Sequence, residues 1–200
     1  MSTKPRGRPR SFDRETALEQ ALLAFWERGY DATSVADLTR VMGIGAPSLY
    51  AAFGDKKTLF EEVVEAYLTR YGGFIGRALA EEPTAEAALG RVLREAAVEY
   101  TAPGQPHGCL IISGAASCHE SAADVAEGLR ARRAGNLRAI EGRIRADVAA
   151  GTLPADTDVA ALARFFGAVI QGMSQQSRDG ASREELEGVA ETAMRAWPAA

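Results

Sequence analysis

Residues 29–60 read GYDATSVADLTRVMGIGAPSLYAAFGDKKTLF, and this stretch decides the fold. Gly29 is a natural stop for the helix that precedes it. Ser34-Val35-Ala36-Asp37 forms a capping box, in which Ser34 accepts the third amide and Asp37 reaches back. The helix so opened runs through Val41 or Met42 and ends at Gly43-Ile44-Gly45. Pro47 suits a helix N-terminus, where its missing N–H has no intrahelical partner. That helix runs from Ser48 to Phe53 and halts at Gly54, after which Asp55 caps a longer one. Two short helices joined by a tight glycine turn are the parts of a helix-turn-helix. The second is too short to be stable alone, so its longer neighbours must hold it.

Working outward, the periodicity stays helical throughout. Leu18, Ala21, Leu22 and Phe25 stripe the first helix; Leu59, Phe60, Val63, Val64, Tyr67, Leu68 and Tyr71 stripe the fourth. Five more helices follow. Leu89 to Tyr100 marks one, closed by Ala102-Pro103-Gly104-Gln105-Pro106. A short apolar helix is expected from about Cys109 to Cys118. Val125, Leu129, Leu137, Ile140, Ile144 and Val148 stripe a long one ending at Gly151. Asp158 to Ser177 is the next, and Ser182-x-x-Glu185 is a second capping box leading to Trp197. The expectation is an all-α chain of about nine helices: a basic flexible arm (1–11), a helix-turn-helix domain (12–58) and a larger helical domain (59–200).

Apolar residues make up 46% of the 200 and charged residues 25%, ordinary values for a chain with a real core. No apolar run nears the roughly 20 residues of a membrane span, and no secretory signal opens the chain. Two cysteines make no disulfide framework. These features predict a cytoplasmic protein with no membrane association. The net charge is −4, but residues 1–60 carry nine basic and seven acidic side chains, which leaves −6 on residues 61–200. A head tending basic on an acidic body suggests two jobs in one chain.

The exposed residues expected on the second short helix are small or able to hydrogen-bond: Gly45, Ala46, Pro47, Ser48, Tyr50 and Ala51. Small side chains let a helix approach the major-groove floor of double-stranded DNA, and their methyl groups meet thymine methyls. Ser48, Tyr50, Thr33, Lys56 and the amides near Ser34 are the expected phosphate contacts. The pattern Phe12, Gly29-Tyr30-Asp31-Ala32-Thr33-Ser34, Gly43-Ile44, then Ser48-Leu49-Tyr50-x-x-Phe53-x-x-Lys56-x-x-Leu59 resembles the TetR family of transcriptional regulators. The resemblance implies an all-helical homodimer, a small-molecule pocket in the C-terminal domain and repression relieved by ligand at a palindromic operator. This sequence departs from the family pattern at Gly45, Ala46, Pro47, Ala51 and Ala52, where more polar residues are usual. Its recognition helix is therefore poor in groups that hydrogen-bond bases. The arm Lys4-Pro5-Arg6-Gly7-Arg8-Pro9-Arg10 is similar to the core of an AT-hook, so Arg6, Arg8 and Arg10 are either minor-groove readers or a solvated basic tail.

Effector-pocket candidates are Tyr67, Tyr71, Phe74 and Tyr100, with Leu110, Ser113 and Ser117, and with Phe165, Phe166, Val169 and Met173. So charge-poor a set implies an apolar or aromatic effector. Cys109 and Cys118 are candidate redox residues. On one helix their nine-residue spacing sets the thiols roughly 13.5 Å apart, too far for a disulfide or a single metal site. Cys109 near a helix N-terminus is expected to have a lowered pKa. Gly167, Ala168, Gly172, Ala190 and Ala193, with Trp197 at the rim, predict dimerisation through the last two helices. No cofactor, metal or enzymatic activity is expected: no glycine loop on a strand and no carboxylate pair stands out. The rival readings are a thiol-based redox or electrophile sensor and an AT-hook architectural DNA-binding protein.

Overall fold

Short capped helices around a shared apolar seam build the N-terminal head. The computed structural model describes residues 12–115 and 119–198. Helix α1 (Arg14–Arg28) starts at Asp13, whose carboxylate accepts the Glu15 amide, and ends at Gly29. Helix α2 (Val35–Met42) opens on the capping box, with Ser34 Oγ accepting the Asp37 N–H and the Asp37 carboxylate accepting that of Ser34. Gly43 takes φ 65° and ψ 28°, a left-handed conformation that glycine adopts at no steric cost. It turns the chain into α3 (Ala46–Phe53). Asp55 caps α4 (Lys56–Arg70) by accepting the Thr58 amide at 2.7 Å.

Helix α3 has eight residues and no side-chain cap, so its stability must come from what it packs on. Leu49 and Phe53 are buried in the apolar cluster shared with α1, α2 and α4, each contributing about 1.5–3 kcal/mol. Arg14 fastens the far end. Its guanidinium donates to the Ala52 carbonyl at 3.2 Å, pairs with Glu62 at 2.7 Å and lies 4.3 Å from the centre of the Phe53 ring.

The body comprises α5 (Phe74–Glu81), α6 (Ala85–Tyr100), α7 (Leu110–Ser113), α8 (Ala123–Ala149), α9 (Val159–Arg178) and α10 (Arg183–Met194), with a 3-10 turn at Glu120–Ala122. The described residues thus hold ten α-helices and no strand. The capping box Ser182–Glu185 opens α10, as its sequence predicts. Two expectations are corrected. Helix α5 was not anticipated: no helix was expected between the stripe ending at Tyr71 and the one beginning at Leu89, and burial of Phe74, Ile75 and Ala78 accompanies this eight-residue helix. The helix expected from Cys109 to Cys118 is the four-residue α7, which stops at Gly114. There the Gly114 carbonyl accepts the Tyr30 N–H at 2.8 Å instead of continuing a helix. In the body α10 packs on α6 and α9, and α9 packs on α6 and α8. Buried Asp147 of α8 accepts the Ala85 amide at 2.6 Å, placing a carboxylate at the positive end of α6. A single apolar cluster runs through head and body.

Candidate DNA-reading head and effector cavity

With Leu49 and Phe53 turned inward, α3 presents Gly45, Pro47, Tyr50 and Ala51 to solvent, with Ala46 and Ser48 half-buried. Tyr50 is 51% exposed. This face offers two hydroxyls among small side chains, enough for phosphate contacts and close approach to a groove, and little for reading bases. Lys56, at the start of α4, holds its ammonium 4.2 Å from the centre of the Tyr30 ring, a cation–π contact that fixes it beside the head. Thr33 differs from expectation. It is fully buried, and its hydroxyl donates to the Gly29 carbonyl at 2.7 Å, so it closes the end of α1 and is not available to a phosphate. The Ser34 hydroxyl is likewise engaged with Asp37, which it holds below the usual carboxylate pKa. Arg6, Arg8 and Arg10 lie outside the described residues.

Several hydrogen bonds hold α1 and the turn after it against α7, α9 and the end of α4. Besides the Tyr30–Gly114 bond, the Trp26 indole N–H donates to the Gly108 carbonyl at 3.2 Å. Arg178, ending α9, donates to the Glu27 carbonyl at 2.9 Å and so caps α1 from outside. The Tyr71 hydroxyl donates to Glu19 at 2.6 Å; burial, then this carboxylate, pushes its pKa up to about 12. On the other side of the body, α4 meets α8 through the ion pairs Lys57–Asp124 and Arg132–Glu65.

A cavity of about 460 Å³ opens between α6, α7, α8 and α9. Of the predicted pocket residues, Phe74 and Tyr100 line it, and so does Cys109. The others stand elsewhere. Tyr67 and Tyr71 pack around Trp26, with ring centres 4.8 and 5.1 Å away. Leu110, Phe166 and Met173 are sealed in the core, and Val169 is half-buried at its edge. Ser113 donates to the Cys109 carbonyl, Phe165 is 41% exposed, and Ser117 lies outside the described residues. Ile111, Ile140 and Ile170 supply apolar wall. The expected scarcity of charge is overturned, since Arg130, Arg133 and Arg164 line the cavity and no aspartate or glutamate does.

Cys109 also departs from expectation. Burial pushes its thiol pKa up, only partly offset by hydrogen bonding from Tyr67. The short α7 supplies too little dipole to reverse that. Cys118 lies outside the described residues. Among the described residues, no three His, Cys, Asp or Glu side chains cluster as a metal site would require. No described helix is long and apolar enough to cross a membrane. Of the small residues expected at a dimer interface, Ala190 and Ala193 are buried in the protomer itself, where α10 packs on α6. Trp197 rests on Phe166 at 5.5 Å. Gly172 faces open space.

A helix-turn-helix head pinned to a helical body is the architecture of a DNA-binding transcription regulator. Residues 17–63 match the model of bacterial regulatory proteins of the tetR family, and residues 85–194 match a tetracyclin repressor-like C-terminal domain. The chain belongs to the TetR family of transcriptional regulators. It is 38% identical to the HTH-type transcriptional repressor ComR of Escherichia coli K12 over 98% of this chain and 93% of that protein. To the repressor BdcR of the same organism it is 34% identical, over 90% and 86%. Among solved structures, a cysteine-substituted form of the TetR family regulator CifR, complexed with a 26-bp double-stranded operator, superposes with a TM-score of 0.91. That match has 42% identity and covers 96% of this chain and all of the other.

Proposed function

We propose that this chain is a homodimeric repressor that reads an inverted-repeat operator with α3 and leaves it when a small molecule fills the cavity. The observation that carries the reading is the position of α4. It follows α3 directly and is tied to its end by Arg14, which bonds both the Ala52 carbonyl and Glu62, while Lys57 and Glu65 pair with Asp124 and Arg132 of α8, a helix that also lines the cavity. Movement of α8 around a ligand therefore displaces the base of α3. The exposed Phe165 and the open approach at Gly172 support α9 as the surface that a second copy covers. The relatives support the rest: ComR and BdcR are repressors, and CifR binds double-stranded operator DNA.

The test is selection of bound sites from random DNA with the full chain, paired with sedimentation of the free protein. The reading expects a dimer and one enriched sequence with two symmetric half-sites. A monomer that enriches no symmetric sequence would refute it.

A further inference from the structure

The arginines of the cavity carry information about what fills it. Helix α8 has six arginines, and four have an acidic partner: Arg130 with Glu127, Arg132 with Glu65, Arg143 with Asp147 and Arg145 with Glu141. Arg138 is exposed and solvated. Arg133 is different. It is half-buried in the cavity wall and makes no ion pair among the described residues. Its guanidinium donates to the Ile111 carbonyl at 2.6 Å, which leaves its other N–H groups uncommitted by any described hydrogen bond. Arg164 of α9, exposed to solvent and in no ion pair among the described residues, lines the mouth of the same space, where it can meet an anion held by Arg133. A guanidinium withdrawn from water without a counter-anion is costly, and a bound anion removes that cost.

The rest of the wall sets the shape of the anion. Phe74, Ile140 and Ile170 give it an apolar side. At the buried end, the Tyr100 hydroxyl has no hydrogen-bond partner of ordinary geometry among the described residues. The volume lies in the range of small-molecule sites, roughly 300–1,000 Å³.

We infer that the effector is an amphipathic organic acid, its carboxylate paired with Arg133 and Arg164 and its hydrocarbon body against Phe74, Ile140 and Ile170. This rests on the cavity being the effector site, as proposed above. A neutral molecule of the same shape leaves Arg133 without its counter-charge, so the site discriminates by charge as well as by size.

The experiment titrates the purified full-length protein, by calorimetry, with matched pairs of probes: phenylacetate against phenylacetamide, and octanoate against octanamide. Operator binding is followed separately, by anisotropy, in the presence of each probe. In at least one pair the acid is expected to bind roughly tenfold or more tightly than its amide. Arg133→Met should erase that preference, and Arg138→Met, which removes a charge from the same helix outside the cavity, should keep it. Equal binding of acid and amide, or failure of both acids to bind, overturns the inference, as does a preference that survives Arg133→Met. The acid–amide comparison in the unmodified protein decides the matter even if a variant does not fold. Failure of the repressor reading shows differently: an acid binds with the expected preference, yet operator binding is absent or does not respond.

Discussion

The Tyr30 N–H donates to the Gly114 carbonyl at 2.8 Å, joining the turn after α1 to the end of α7. Ile111 and Ile112, which precede Gly114, line the cavity, so this one bond spans from the cavity wall to the head. Gly29 makes the bond possible. Its φ of 80° and ψ of 173° belong to a region open almost only to glycine, and a Cβ there would stand 3.2 Å from the Gly114 oxygen.

Gly29→Ala should therefore strain the backbone and push head from body together. The expected loss is about 1–3 kcal/mol, read as a lower denaturant midpoint. An unchanged midpoint would mean that the junction relaxes freely and is not a rigid coupling.

Loss of the α2 cap should show both as stability and as pH dependence. Ser34→Ala is expected to cost about 1 kcal/mol. The Ser34 hydroxyl, then its amide, hold Asp37 below its ordinary 3.8, a depressed folded pKa. Its contribution is thus complete above that ordinary value and is lost as pH falls through the folded one. The denaturant midpoint should drop below about pH 4, and Asp37→Asn should flatten part of that drop. Parallel acid limbs for the two proteins would contradict the capping role.

Tyr50 is exposed, so its removal should touch binding and spare stability. Tyr50→Ala is expected to weaken operator binding about tenfold by anisotropy while the melting temperature stays in place. Tyr50→Phe separates the parts: if the hydroxyl donates to a phosphate, the loss persists. Full affinity in both variants would remove Tyr50 from the interface.

Cys109 should be a slow thiol. With its pKa raised by burial, little thiolate exists at neutral pH, and the rate should climb as the medium becomes alkaline. Peptide-level mass spectrometry should find it labelled at least about tenfold more slowly than a small free thiol at pH 7. A rate equal to or above that of the free thiol would restore the low-pKa expectation and with it the case for electrophile sensing.

The head was legible because its signals are local: Ser34 and Asp37, Pro47, Gly43 and Asp55 each act within four residues, and each has the role its spacing predicts. What failed was tertiary. Thr33 looks like a phosphate contact until the fold buries it under the end of α1. Helix α5 owes its existence to burial of Phe74 and Ile75, which no capping residue announces. The cavity left one trace that could have been read. Arg133 sits four residues after Leu129 and four before Leu137, in the apolar stripe of α8 where an aliphatic residue belongs. A charge in that place marks either a fault in the stripe or a space it faces. Arg133 faces such a space, the cavity.

The most direct measurement is a hydroxyl-radical footprint of the protein on its selected operator. Reading by α3 in the major groove predicts two protected windows about one helical turn or more apart, related by two-fold symmetry, each weakened by Tyr50→Ala. Protection that follows A·T tracts along the minor groove, without symmetry and indifferent to Tyr50, would contradict it and return the protein to an architectural role.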